Sequence, residues 1–263
     1  MNFEFKENYN FDDLVNILQI LRRPGGCPWD AEQTHESIRR NFIEETYEVI
    51  EAIDKKDSEL LCEELGDSLL QVVFHAQIEQ DMGGFSIDDV CDGICKKLII
   101  RHPHVFGDVV AETTDKVLDN WDAIKMQTKA QQTQAEVLDS VSHSLPALIR
   151  AHKVQHKASK CGFDWKTVDG ALDKLSEEIA ELRAAINSGD DAACFEELGD
   201  VLFSAVNVSR FTDVEPEQAL SESCNKFIAR FAKVEALANE RGIDMKTASL
   251  EELDALWDEI KAR

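Results

Sequence analysis

Eight carboxylates stand at matching places in the two halves of this 263-residue chain. Glu45 and Glu48 are three residues apart, as are Glu64 and Asp67, and the pattern returns as Glu178 and Glu181 with Glu197 and Asp200. Residues three apart share a helix face. In an antiparallel helical hairpin, residues whose numbers have a constant sum lie at one level. The pairs 45/67 and 48/64 share the sum 112, and the pairs 178/200 and 181/197 share the sum 378. Each hairpin can therefore bring four carboxylates together as two facing pairs. Four ionised carboxylates at close range repel one another, so either some protonate or a cation compensates. An all-oxygen donor set is hard and favours Mg2+, with Mn2+ as a substitute, over zinc or copper. A helical di-iron site wants Glu-x-x-His on two of its helices, and here Asp67 and Asp200 hold the histidine places. Divalent ions held this way can clamp a phosphate chain and lower the pKa of a water for attack.

The elements that must position these groups are legible from an internal repeat. Residues 44–67 read EETYEVIEAIDKKDSELLCEELGD, and residues 177–200 read EEIAELRAAINSGDDAACFEELGD. Glu44, Glu45, Glu48, Glu63, Glu64, Leu65, Gly66 and Asp67 recur without a gap 133 positions later, Glu44 as Glu177 and Asp67 as Asp200. Lys97 and Arg101 are echoed by Lys226 and Arg230, and Trp121-Asp-Ala-Ile-Lys125 by Trp257-Asp-Glu-Ile-Lys261. This is a duplicated domain, expected over residues 1–128 and 141–263, with a polar linker, helical in part, at 129–140. Apolar spacing predicts a helix over 11–22, and composition predicts helices over 42–53 and 60–80. Polar residues join the hairpin helices at 54–58 and, with a strong turn signal, at 187–191. Nothing alternates with period two, so the fold class is all-α. A single Glu-Glu-x-x-Glu face is ordinarily solvated and salt-bridged. Here the intervening residues have diverged between the halves while the carboxylates have not, which favours a site. A glycine inside a helix costs about 1 kcal/mol relative to alanine, so Gly66 and Gly199 are expected to allow close backbone packing.

The basic and aromatic residues are less specific. Lys226 and Arg230, like Lys97 and Arg101, share a helix face and can bind phosphate oxygens. Ordinary helical pairing, such as Glu222 with Lys226, is the plainer reading. Trp257 and Lys261 (likewise Trp121 and Lys125) can supply a stacking ring and a further phosphate contact, although a tryptophan beside Leu256 is as readily core. His102 and His104 have no counterpart in the second half and read as local structure. Cys91 and Cys95 share a helix face without other soft ligands nearby, and are expected to be buried thiols.

Composition bounds the rest. Asp and Glu number 52 against 28 Lys and Arg, a formal charge of −24, while 43% hydrophobic residues suffice for a packed core. The acidic excess argues against a nucleic-acid surface, whose footprint is a basic stripe. No apolar run is long enough to span a membrane, and residues 1–10 carry no signal-peptide core. Seven scattered cysteines without a C-x-x-C pair read as reduced thiols in a cytoplasmic protein.

Glu44-Glu45-x-x-Glu48 followed by Glu64-x-x-Asp67 resembles the E-E-x-x-E…E-x-x-D signature of the MazG nucleotide pyrophosphohydrolases. Gly25-Gly-Cys-Pro-Trp-Asp30, Arg101-His-Pro-His-Val-Phe106 and Gly162-Phe-Asp-Trp165 resemble the same family, and the likeness spans essentially the whole chain. The resemblance implies an all-α homodimer with four-helix-bundle packing formed between subunits. It also implies Mg2+-dependent hydrolysis of NTPs and dNTPs to monophosphate and pyrophosphate. Carried over by position, Glu178, Glu181, Glu197 and Asp200 are metal ligands, and Glu45, Glu48, Glu64 and Asp67 form a second such set. Nucleotide contacts would come from Lys174, Leu175, Ser176, Glu177 and Glu178, and from Ala193, Cys194, Phe195, Glu196 and Asp200. Lys226, Phe227, Ile228, Ala229, Arg230 and Trp257 complete them.

The residues are compatible with water attack at the α-phosphorus, with Glu177 or a ligand carboxylate assisting deprotonation. Lys226, Arg230 and Lys261 would then neutralise the pyrophosphate. By ligand inventory both halves could work; the second is taken as the main catalytic one. A helical module that binds nucleotides or a partner protein without turnover, and a scaffold with solvated acidic faces, remain alternatives. Base and sugar preference stay open, as does the choice between house-cleaning of aberrant nucleotides and control of nucleotide signals.

Overall fold

The computed structural model describes residues 3–107, 113 and 133–262, and every regular element among them is a helix. The chain divides into two compact units, Met1–Lys125 and Met126–Arg263. The first contains α1 (Phe11–Arg22), α2 (Pro28–Glu32), α3 (His35–Lys55), α4 (Ser58–Asp81), α5 (Ile87–Arg101) and α6 (Pro103–Phe106). The second contains α7 (Gln134–Asp139), α8 (Ala147–Lys160), α9 (Val168–Ser188), α10 (Asp191–Ser209), α11 (Pro216–Glu240) and α12 (Leu250–Ala262). Trp121, Lys125 and residues 129–132 lie outside the described residues.

Each unit is organised on one long hairpin, α3–α4 in the first and α9–α10 in the second. The helices run further into the polar segments than composition and turn signals predict, leaving two-residue turns at Lys56-Asp57 and Gly189-Asp190. Polar side chains do not stop a helix, whereas a left-handed residue followed by a capping carboxylate does. Lys56 (φ 56°) and Gly189 (φ 70°) supply the left-handed step. Asp57 accepts hydrogen bonds from the N–H groups of Glu59 and Leu60, and Asp190 accepts from those of Ala192 and Ala193. The repeat therefore extends to the turn chemistry.

In the first unit α1 lies against α4, and Leu18, Ile38, Val73, Phe74, Ala76, Ile78 and Ile87 form the core. The chain leaves α1 through a tight reversal at Gly26. A Cβ there would come within 2.3 Å of the carbonyl oxygens of Ile20 and Leu21, so only glycine fits. In the second unit α8 packs against both α10 and α11, and α12 folds back on α11. Val234, Leu237, Ala238 and Leu256 form that core, with Trp257 packed on it and partly buried. In α7, Val137 is buried and Gln134 accepts a hydrogen bond from the Cys161 thiol of the same unit.

Two expectations are overturned. Cys91 and Cys95 are exposed, because among the described residues of the single chain nothing covers α5 from Cys91 to Ile100; all seven cysteines are free thiols. Gly66 and Gly199 make no close approach: a Cβ at either position would meet nothing within 4 Å.

Candidate functional site

The hairpin turns set the register, and the register brings the carboxylates face to face. In the first unit, ligand oxygens of Glu45, Glu48 and Glu64 all lie within 4.8 Å of one another. Asp67 is close enough to act on Glu45 and Glu64 by charge. In the second unit the converging trio is Glu178, Glu197 and Asp200, again within 4.8 Å, with Asp200 taking the place that Glu48 rather than Asp67 fills in the first. Glu181 joins it through a hydrogen bond with Glu178. All eight sequence-predicted ligands thus belong to two compact clusters.

Crowding shows in the acidity of the cluster. Burial, followed by the charges of Asp67 and Glu48, pushes the Glu45 carboxyl above the usual range. Glu64 is raised by burial and then by Glu48, Glu63 and Asp67. In the second unit Glu181 is raised first by its hydrogen bond with Glu178, and Glu197 first by burial and then by Glu178 and Asp200. Glu178 departs from this pattern. Its side chain is only 7% exposed, and the Lys174 ammonium bonded to it holds its carboxyl below the usual range against the cost of burial. The Lys174 ammonium lies 2.8 Å from Glu178 and 2.8 Å from Glu177, the i, i+4 and i, i+3 neighbours on α9. Sequence reasoning placed Lys174 only among nucleotide contacts. Its spacing to Glu177 and Glu178 was the available signal.

The remaining predicted contacts are less convergent. Lys226 and Arg230 lie on α11 and Lys261 near the end of α12. Among the described residues no hydrogen bond or ion pair joins them to the carboxylates, and the expected Glu222–Lys226 pair is not formed. Leu175, Ala193 and Cys194 are half-buried on the hairpin, while Ser176, Glu196 and Phe195 are exposed. Phe227 stacks on Phe231 and meets Trp257 at a ring separation of 5.2 Å, and Ile228 and Ala229 lie open on α11. His102 is local structure, its ring bonded to the Leu98 carbonyl.

Sequence reasoning missed two anchors. Arg210, at the end of α10, donates to the carbonyl of Gln155, to Asn207 and to the Asp164 carboxylate. This ties the Gly162–Trp165 loop, 46 residues away in sequence, to the carboxylate hairpin. Arg22 plays the corresponding part in the first unit, reaching Asp81 and the carbonyls of Asp30 and Gln33. Neither has a local signature. Beside Arg210, Leu138, Phe163, Trp165 and Phe203 line a mainly apolar cavity of about 430 Å³. The first unit also holds a pair without counterpart in the second: the His35 and His75 rings stack, Nδ1 to Nδ1 at 2.7 Å, with Glu79 on the far side of His35.

Residues 33–106 and 166–235 each match the model of the MazG nucleotide pyrophosphohydrolase domain. The chain is 45% identical over 251 residues to the nucleoside triphosphate pyrophosphohydrolase/pyrophosphatase MazG of Thermotoga maritima, covering 95% of each chain. It is 44% identical over 253 residues to the nucleoside triphosphate pyrophosphohydrolase of Escherichia coli K12, covering 95% of this chain and 96% of that one. Both matched segments contain the carboxylate hairpin of their unit.

Proposed function

The chain belongs to the MazG nucleotide pyrophosphohydrolase family, and on that footing we propose that it hydrolyses nucleoside triphosphates, ribo- and deoxy-, to the monophosphate and pyrophosphate. The observation that carries the reading is the convergence of Glu178, Glu197 and Asp200 within 4.8 Å, with Glu181 bonded to Glu178. A set made only of carboxylate oxygens fits a hard divalent cation, Mg2+ or Mn2+, and suits softer metals poorly. Magnesium bound there would supply charge neutralisation at the phosphates and a water acidic enough to attack at neutral pH.

The chain's own residues supply the rest. Glu177, exposed beside Glu178 on α9 and paired with Lys174, would accept a proton from a water attacking the α-phosphorus. Lys226, Arg230 and Lys261 are cations free to meet the charge that accumulates on the pyrophosphate leaving group. Trp257 offers a ring for the base, and stacking of this kind tolerates any base. Glu45, Glu48, Glu64 and Asp67 form the second set, and the second unit is taken as the main catalytic one.

A homodimer fits the surface. Ile179, Ile186, Phe195, Leu198 and Leu202 on the α9–α10 hairpin are 45% to 84% exposed in the single chain. A row of this size on soluble helices is normally covered, and a second copy would complete a four-helix bundle. Among the described residues no helix is long and apolar enough to cross a membrane.

The test is a product assay with Mg2+ and the eight common NTPs and dNTPs. Monophosphate with pyrophosphate is expected. Diphosphate with phosphate would place attack at the terminal phosphorus and overturn the proposal, and a folded but inactive chain would favour a binding module.

A further inference from the structure

The two carboxylate clusters occupy the same places in the repeat, although Glu48 converges in one and Asp200 in the other, and they are not compensated alike. In the second unit the Lys174 ammonium contacts Glu177 and Glu178, at 2.8 Å each. In the first unit the equivalent position, 133 residues earlier, is Asn41, which carries no charge. The nearest cation on that helix, Arg40, is spent on Glu44 at 2.8 Å, outside the cluster. After burial, the neighbours that raise Glu45 and Glu64 are acidic ones, among them Glu48 and Asp67. The α3 cluster thus faces solvent as a bare set of like charges, whereas the α9 cluster already holds one positive charge on its most buried member.

We infer that Lys174 is a built-in counter-cation of the second cluster, competing with a divalent ion for Glu178, so that in the absence of nucleotide the first cluster takes up metal more tightly than the second. The inference rests on the reading of these carboxylates as metal ligands. A cation entering between Glu178, Glu197 and Asp200 meets a carboxylate whose charge is partly satisfied, and it must repel or displace the ammonium to coordinate. Metal uptake and release of Lys174 from Glu178 are then one event. At the first cluster there is nothing to displace, and self-repulsion among Glu45, Glu48 and Glu64 is relieved directly by the ion. Asn41 has the same i, i+3 and i, i+4 relation to Glu44 and Glu45 that Lys174 has to Glu177 and Glu178. A lysine at 41 would therefore reproduce the grip.

The experiment is a titration of the full chain with Mn2+ alone, free ion being followed by electron paramagnetic resonance, without any nucleotide. Glu197→Gln leaves the first cluster as the intact site, and Glu64→Gln leaves the second. The Glu197→Gln chain is expected to bind Mn2+ more tightly than the Glu64→Gln chain. Adding Lys174→Met to Glu64→Gln should tighten its binding roughly five- to tenfold, the scale of removing one charge at contact distance in a solvated site. Lys174→Arg, which keeps the charge, should not tighten it, and Asn41→Lys in the Glu197→Gln chain should weaken it. Unchanged or weaker binding with Lys174→Met, or a first cluster no tighter than the second, overturns the inference. Absence of Mn2+ binding in the parent chain overturns the metal reading itself, and this inference with it.

Discussion

The carboxyl groups of Glu178 and Glu181, one turn apart on α9, are hydrogen-bonded to each other, and the bond holds Glu181 in its protonated form to higher pH than an ordinary carboxyl. The Lys174 ammonium, 2.8 Å from Glu178, occupies the electrostatic place of a cation beside this cluster.

Glu178 is the buried member of the cluster and the one that the Lys174 ammonium grips, which makes it the decisive substitution. Glu178→Gln should leave the helical circular dichroism unchanged while lowering Mg2+-dependent turnover roughly a hundredfold or more, the scale on which loss of one electrostatic stabiliser acts. Turnover within a few fold of the parent would remove Glu178 from the site.

Arg210 links the Gly162–Trp165 loop to α10, and its side chain is only 7% exposed. Arg210→Ala removes charged hydrogen bonds and leaves the Gln155 carbonyl and Asp164 without that donor. It should cost about 2–3 kcal/mol of stability, read by chemical denaturation. Asp164→Asn, which keeps an acceptor for the guanidinium, should cost less.

Glycines in the second hairpin should respond in opposite directions. Gly189 has φ 70°, so Gly189→Ala should destabilise by roughly 1–2 kcal/mol. Gly199 lies inside α10 with open space where a Cβ would stand. Gly199→Ala should therefore stabilise by about 0.5–1 kcal/mol. Lys56→Gly should relieve the equivalent left-handed strain in the first unit. Thermal melts of the three variants check all three signs.

His75 is held below its ordinary value of 6.5 by burial and then by the neighbouring His35. A histidine that resists protonation when folded but accepts it when unfolded lowers stability as pH falls. The loss should be absent well above pH 6.5 and grow as pH drops below it. His75→Val, which copies Val208 at the equivalent place in the second unit, should reduce that dependence. Denaturant midpoints at pH 7.5 and 5.5 in parent and variant make the comparison, and equal pH slopes would count against the assignment.

Much of this protein is determined locally, and that part the sequence by itself decided. Residues three and four apart must share a helix face, so the carboxylate pairs, the α1 span and the Lys174 spacing to Glu177 and Glu178 are consequences of helical geometry. The facing of Glu45 with Asp67 and of Glu178 with Asp200 needed one further assumption, an antiparallel hairpin, and the two-residue turns supply it. What only the tertiary structure decided are relations between residues far apart in the chain. Arg210 reaching Asp164, Arg22 reaching Asp81, and His35 stacking on His75 have no spacing rule behind them, because packing and not helical periodicity brings them together. Exposure belongs to the same class. Whether Cys91, Cys95, Gly66 and Gly199 meet neighbours depends on which helix face another element covers. A helix carries its own hydrogen bonds but does not specify what lies against it.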